Sequence, residues 1–487
     1  MLAHDPMDTI DTVKPTEPIE RTGPSEQIDS VEFPDLHDHR DQSFDDIGSA
    51  FDLAACDHMT RPRIVIIGGG FAGYYAARSL CRTVRGEAEV VILNPTDYFL
   101  YLPLLPEVAA GVLDPRRVTV SIPGTAPRVD LVLGSASGVN MDEHRVSYRD
   151  ADGRRASLAY DRLLITTGSV NKLLPIPGVA EHAQGFRSIA EALYLRDHMI
   201  RQIELADSAD DPAERDARLT FVVVGAGYTG TEVAAQGVLM TTGLAGKHPR
   251  LAGRRPRWLL VDTADRVLPG LGANLAATAA RVLRRRGVEV RTGASVAEAM
   301  AGSIRLSDGS RIGTRSLIWC VGVRPEPLVQ SMGLDIRQGR LVVDEYLSVP
   351  GQPDVWACGD VAAVPDLTRP GEITPMTAQH AQRQGKRAAG NIAATLGYGT
   401  RRPYKHHDLG FVVDLGGWQA AANPLQVPLS GLAAKTVTRG YHLLSLPGNR
   451  GRTTADWITE AILPRQAVQL GLVHSTDAAL NTDQPSA

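Results

Sequence analysis

The chain has 487 residues, 43% of them hydrophobic, which gives room for about three domains with real cores. Four scattered cysteines (Cys56, Cys81, Cys320, Cys358) without a CxxC exclude a disulfide framework and a cysteine metal site, and no run of about 18 apolar residues spans a bilayer. The net charge of −4 is uneven: residues 1–60 carry fifteen acidic and three basic residues, so the rest is basic, which fits an anionic membrane surface and ordinary surface charge equally, and no nucleic-acid partner is expected.

Residues 1–60 are acidic, broken by Pro15, Pro18, Pro24 and Pro34, and lack periodicity, so a disordered tail is expected. No secretion signal opens the chain. Met59-Thr-Arg-Pro-Arg runs straight into the first predicted strand and is a second candidate start of translation. The intact mass of natively expressed protein distinguishes the two starts.

Ile64–Ile67 are four β-branched residues in a row, the pattern of a strand buried on both faces. Gly68-x-Gly70-x-x-Gly73 follows, enclosing Phe71 and Ala72, and Ala76 and Ala77 suit a helix packed close to a sheet. The first glycine allows a tight turn, the second lets a pyrophosphate approach, and the third lets helix and strand touch. The helix N-terminus offers free N–H groups to phosphates. Ala88–Leu93 reads as the next strand. It ends on Asn94 where an acid usually meets the ribose hydroxyls, and an amide also hydrogen-bonds a hydroxyl. Asp97–Glu107 (DYFLYLPLLPE) is an aromatic loop that fits either core or site. YDRLLITTG, ending at Thr167 and Gly168, closes this unit.

Residues 171–178 read as a crossover, Phe186–Leu205 as a helix and 206–217 as a polar linker. LTFVVVGAGYTGTEVAA then repeats the first fingerprint with Gly225, Gly227 and Gly230, and Glu232 follows. The next strand, Arg257–Asp262, ends on an acid that accepts from both ribose hydroxyls and repels a 2′-phosphate. Thr263 rather than arginine follows, which favours NADH over NADPH. The basic insert GKHPRLAGRRPR is expected on the surface. Gly168 and Gly322 each end an apolar strand about a hundred residues after their fingerprints, so the two units match as a repeat. An α/β fold with two Rossmann-like dinucleotide-binding domains follows.

SIRLSDGSRI reads as a hairpin on Asp308-Gly309. VWACGD is a strand ending at Gly359 and Asp360, and TPMTAQHAQRQGKRAAGN is a helix with Ala378 and Gln379 near its start. From Ala433 to Leu444 an apolar face (Ala433, Val437, Tyr441, Leu444) opposes a basic stripe (Lys435, Arg439, His442). The pattern fits membrane contact or a helix docked on its own domain. A second helical stretch carries Trp457 and Arg465 and is interrupted at Pro464.

Together IGGGFAG, YFLYLPLLPE, YDRLLITTG, VVVGAGYTGTE, VWACGD, TAQHAQRQG and LSGLAAKTVTRGYHLLSL resemble the FAD-dependent oxidoreductases with two dinucleotide-binding domains. Within that superfamily the chain most resembles type II NADH dehydrogenase, the single-subunit, non-proton-pumping NADH:quinone oxidoreductase, from about Arg61 to Leu472. The resemblance implies FAD on Gly68, Gly70, Phe71, Ala72, Gly73, Asn94, Thr167, Gly168, Gly359 and Asp360. It implies NADH on Gly225, Gly227, Gly230, Asp262 and Gly322. Glu232 would lie near the nicotinamide, with Ala378 and Gln379 at the flavin ring and the quinone pocket. Arg383 stands where the family often has a second glutamine. Glu232 or His380 would relay protons. The implied layout is a 1–60 tail, a FAD domain from 61–185 and 346–400, an NADH domain at 186–345 and a membrane-associating region at 401–487. Implied partners are menaquinone or ubiquinone, the cytoplasmic face of the cell membrane, peripherally, and a second copy in a homodimer. Metal is not implied. Sulfide:quinone oxidoreductases are related but need cysteines beside the flavin, where Cys320 and Cys358 are the candidates. A non-catalytic NADH-sensing flavoprotein is the other alternative.

Overall fold

A computed structural model describes residues 61–407, 409–478 and 480. The acidic tail and the Met59 start lie outside the described residues.

The β-branched run forms Arg63–Ile67, a central strand of an eight-stranded sheet. Glu89–Asn94 and then Asp130–Asn140 lie on one side, Arg162–Ile165 and then Gln352–Ala357 on the other, all parallel. Ile64, Val65 and Ile66 are fully buried, as a strand covered on both faces requires. Ile67 pairs with Leu93 and Ile165, and Ile165 with Ala357. The register therefore delivers Gly68, Asn94, Thr166 and the Gly359-Asp360 turn to one edge, the carboxyl ends where ligands gather in parallel sheets. Helix Phe71–Thr83 packs on helix Ala378–Thr395 through Gly385, where a Cβ would come 2.1 Å from the Ala72 carbonyl. Residues 348–357 thus return to the first sheet.

A second sheet orders Ala183–Gln184, Ser316–Trp319, Thr220–Val224, Arg257–Asp262 and Val288–Thr292, all parallel. Val224 pairs with Val261 and Trp319, so Gly225, Asp262 and Gly322 share its carboxyl edge. Just past Gly168 and Gly322 the chain makes an antiparallel ribbon, Ser169–Asn171 against Val323–Pro325. The echoed glycines therefore mark where each sheet hands its chain to a common connector. Ser303–Leu306 and Arg311–Gly313 form the hairpin, with Gly309 at φ +84.

Two expectations need correction. The 206–217 stretch is not a plain linker, because Pro212–Arg218 is helical. Asp211 caps it, Pro212 occupies the first turn, and Glu214 bridges Arg218 and Arg315. The helix before it runs Ile189–Ser208, starting later than predicted because Ser188 and Glu191 form a capping box.

The second correction concerns the amphipathic helix. Gly431–Ser445 covers a three-stranded sheet of Val412–Asp414, Ala420–Ala422 and Leu429–Ser430, and Arg450–Ile462 follows. Its basic stripe is not the outer face. Lys435 and His442 are buried, while Leu432 is 61% and Leu444 78% exposed. Arg439 lies over the Trp457 ring, 4.8 Å from its centroid. The helix is turned inside out because acids inside the fold demand its lysine.

Candidate functional site

The two fingerprints fold alike. Gly68 and Gly225 sit at φ +98 and +102, a left-handed turn that glycine adopts without strain. A Cβ on Gly73 would come 1.9 Å from the Gly68 carbonyl, and one on Gly230 1.8 Å from the Gly225 carbonyl. Nothing lies within 4 Å of a Cβ built on Gly70 or Gly227. These middle glycines cap helices Phe71–Thr83 and Tyr228–Ala245, and neither helix has a side-chain cap or an acid in its first turn. The N–H groups at both starts are therefore available to an anion.

Each turn is tied to the next strand in the same way. Gly69 N–H donates to the Asn94 side chain at 2.7 Å, and Ala226 N–H donates to Asp262, which also accepts from Ala264 N–H at 2.7 Å. Asparagine and aspartate thus do one job in the two units, and each oxygen keeps a second lone pair for a ribose hydroxyl.

Around the first turn, Thr166 donates to the Ile67 carbonyl at 2.8 Å. The Thr167 hydroxyl oxygen beside it is buried without a protein partner. Ser169 donates to Asp360 at 2.6 Å and accepts from Arg187 at 3.2 Å. Gly359, at φ +80, has its N–H held by Gln384 at 2.8 Å, with Ala72 behind it. Uncapped N–H groups, an orphan hydroxyl and an anchored acid fit a flavin dinucleotide.

Glu232 and Gln379 both anchor the backbone around the strand Val412–Asp414. Glu232 accepts from the Asp414 N–H at 2.8 Å, and Gln379 donates to the Gly410 carbonyl at 3.1 Å. Ala378 opens its helix behind the cap Thr377. His380 lies 2.9 Å from the Tyr404 hydroxyl and stacks on His406, while Arg383 donates to the His407 carbonyl.

Behind Glu232 lies a buried polar chain that the sequence reading missed. Lys435 pairs with Asp414 and stands 3.8 Å from Glu107, and Trp457 donates to Glu107. Burial holds the Glu232 carboxyl well above its usual range. Burial and then the Asp414 charge raise Glu107 to about 7. Burial alone would raise Asp414 too, but Lys435 brings it below the ordinary value. Burial also keeps His442 neutral, near 4, with its ring nitrogen 3.1 Å from the Tyr101 hydroxyl. The signal existed: Glu107 and Asp414 each interrupt an apolar run, and an acid there must find a partner.

Cys320 is pushed up to about 12 by burial, and Cys358 is raised by burial as well. Neither supplies a thiolate at neutral pH. Serine at both positions is expected to leave NADH oxidation at the unsubstituted rate, read in a steady-state assay; a lost activity would revive cysteine chemistry.

Residues 62–385 match the family model described as pyridine nucleotide-disulphide oxidoreductase. The chain is 33% identical over 414 residues to the type II NADH:quinone oxidoreductase Ndh of Mycobacterium tuberculosis, covering 81% of this chain and 86% of that protein. It is 27% identical to the internal alternative NAD(P)H-ubiquinone oxidoreductase A1 of Solanum tuberosum, covering 85% and 89%. Among solved structures it is similar to NDH2 from Plasmodium falciparum in complex with NADH. The TM-score there is 0.76 at 18% identity, over 84% of this chain and 100% of that one, a likeness of fold.

Proposed function

Because this chain belongs to the pyridine nucleotide-disulphide oxidoreductase family and is a type II NADH:quinone oxidoreductase, we propose that its two matched glycine turns divide one reaction between them. Gly68, Gly70, Phe71, Ala72, Gly73, Asn94, Thr167, Gly168, Gly359, Asp360, Ala378 and Gln379 hold FAD. Gly225, Gly227, Gly230, Asp262 and Gly322 receive NADH. The domains divide accordingly, with 61–185 and 346–400 for flavin, 186–345 for nicotinamide and 401–487 for the membrane.

A bound flavin supplies hydride acceptance from nicotinamide and two-electron delivery to quinone. The chain's residues position and exclude water. Asp360, braced by Ser169, orients the polar arm of the cofactor, and Thr167 has a hydroxyl to offer it. Quinol formation also consumes a proton from solution. Glu232, kept in its acid form by burial and linked through Asp414 and Lys435 toward Glu107, supplies it. Glu232→Gln is expected to slow quinone reduction with little change in NADH affinity; an unchanged rate removes Glu232 from the route.

The observation that carries this function is the pair of uncapped helix starts on parallel sheet edges. Steady-state NADH oxidation by yellow purified protein tests it, with menaquinone and ubiquinone analogues as acceptors and sulfide as competing donor. Protein that emerges colourless and refuses added flavin ends the reading.

The membrane contact is peripheral, on the cytoplasmic face. Among the described residues no helix is long and apolar enough to cross a membrane. Leu432, Leu444, Ile458, Ile462 and Leu463 are exposed on or beside the last two helices. Burying such a side chain is worth roughly 1.5–3 kcal/mol, so Leu444→Asp with Ile462→Asp should weaken vesicle binding at least about tenfold. Ferricyanide reduction by NADH, which needs no lipid, should persist; unchanged sedimentation with vesicles would refute the contact.

A further inference from the structure

Away from both glycine turns, a cavity of about 460 Å³ opens between helix Phe71–Thr83, helix Ala378–Thr395 and the bend joining the last two helices. Its lining includes Arg78, Lys386 and Arg450, the ring of Tyr75 and the exposed side chain of Leu444, and no carboxylate. Among the described residues none of the three cations has an acidic partner. Each is nonetheless held in place. Arg78 donates to the Tyr74 hydroxyl at 3.2 Å, Lys386 lies 5.1 Å from the Tyr75 ring centroid, and Arg450 donates to the Leu444 and Leu446 carbonyls. The Tyr75 hydroxyl in turn donates to the Ser445 carbonyl at 2.9 Å, fixing the floor to the rim. Burial, with Arg383, Arg78 and Arg82 nearby, pushes the Lys386 ammonium below its usual value, as crowding without a counter-ion should.

A fold that gathers cations and leaves them unneutralised is complementary to an anion. The rim says which kind. Leu444, 78% exposed, stands at the mouth, so an anion seated here has an apolar neighbour on the outer side. A diester phosphate carrying acyl chains satisfies both halves, whereas a free phosphate leaves the leucine in water.

We propose that this cavity is a headgroup site for an anionic phospholipid, seating the phosphate between Arg78, Lys386 and Arg450 while the acyl chains run along Leu444. The site rests on the peripheral-membrane reading and adds a chemical preference to it: apolar side chains bring the protein to any bilayer, and the cavity selects acidic ones. Arginine supplies paired donors for phosphate oxygens, and lysine a point charge.

The test is co-sedimentation of the full chain with phosphatidylcholine vesicles and with vesicles containing phosphatidylglycerol, at fixed ionic strength. The unsubstituted protein should partition onto the acidic vesicles at least roughly tenfold better, since each basic residue near such a surface contributes about that order of preference. Arg78→Gln with Lys386→Gln should abolish the preference, leaving binding to phosphatidylcholine and NADH oxidation with a water-soluble quinone analogue unchanged. Arg149→Gln with Arg155→Gln removes the same charge from the antiparallel strands Arg145–Asp150 and Arg155–Ala159, which do not line the cavity, and should keep the preference. Equal loss in both double variants would mean bulk charge rather than a site and would overturn the proposal. So would calorimetric binding of soluble glycerol 3-phosphate that displaces the protein from neither vesicle, which would give the cavity to a free anion. Failure to bind either vesicle would refute the membrane reading itself, a separate result.

Discussion

Lys435→Met is expected to destabilise the protein by about 3–5 kcal/mol, the usual loss when a buried ion pair is deprived of one partner. Lys435 is 2% exposed, pairs with Asp414 and lies 3.8 Å from Glu107. Methionine keeps an unbranched apolar stem of similar reach, so the charge rather than the packing is removed. The pH dependence has a defined sign. The folded-state value of Glu107 is raised by burial to about 7, so this carboxyl keeps its proton in the native protein between the ordinary carboxyl range and neutrality, where the unfolded chain has lost it. That contribution to stability is present at low pH and is lost as pH rises through about 7. Without the lysine both carboxylates hold their protons more tightly, so the loss should deepen and extend to higher pH. Urea unfolding of both proteins at mildly acidic and mildly alkaline pH reads this out. A deficit of the same size at both would mean that Lys435 contributes packing alone. Asp414→Asn in the lysine-deficient background should recover part of the stability.

The third glycine of each turn carries the other large effect, and the two turns should fail differently. Gly73→Ala would put a methyl 1.9 Å from the Gly68 carbonyl and 2.6 Å from the Thr166 hydroxyl, and Gly230→Ala would put one 1.8 Å from the Gly225 carbonyl. Both neighbours are hydrogen-bonded into sheet edges, so the helix must lift off the strand by more than an ångström, on the order of a few kcal/mol. Gly73→Ala should give protein without flavin and without activity. Gly230→Ala should stay yellow and lose NADH oxidation through a KM raised at least about tenfold. Flavin absorbance alongside steady-state kinetics separates them; loss of colour in the Gly230 variant, or normal NADH affinity, would contradict the division of labour.

Most of the α/β scaffold was legible because its signals are local. Four β-branched residues before a glycine turn describe a buried strand whatever surrounds it, and the second copy fixed the repeat. The capping acid before Pro212 was equally local, and it was passed over because the segment is so polar. What stayed hidden was pairing at a distance. Periodicity divides helix Gly431–Ser445 into two faces but does not say which one is inside. That depended on Asp414, in a separate strand, and on Glu107, far earlier in the chain. Asn94 departs from the usual acid, yet it makes the same bond to its turn as Asp262 does, because a main-chain N–H needs only an acceptor.

Trp457 meets Glu107 across 350 residues of sequence. During synthesis the acid therefore leaves the ribosome long before its tryptophan and its lysine exist. In the finished fold burial favours the neutral form of that acid. It follows that a chain stopped short of Gly431 would be more than a soluble miniature of the enzyme. Its first sheet would be left with an unaccompanied acid and an open flank, a species for chaperones and proteases to find.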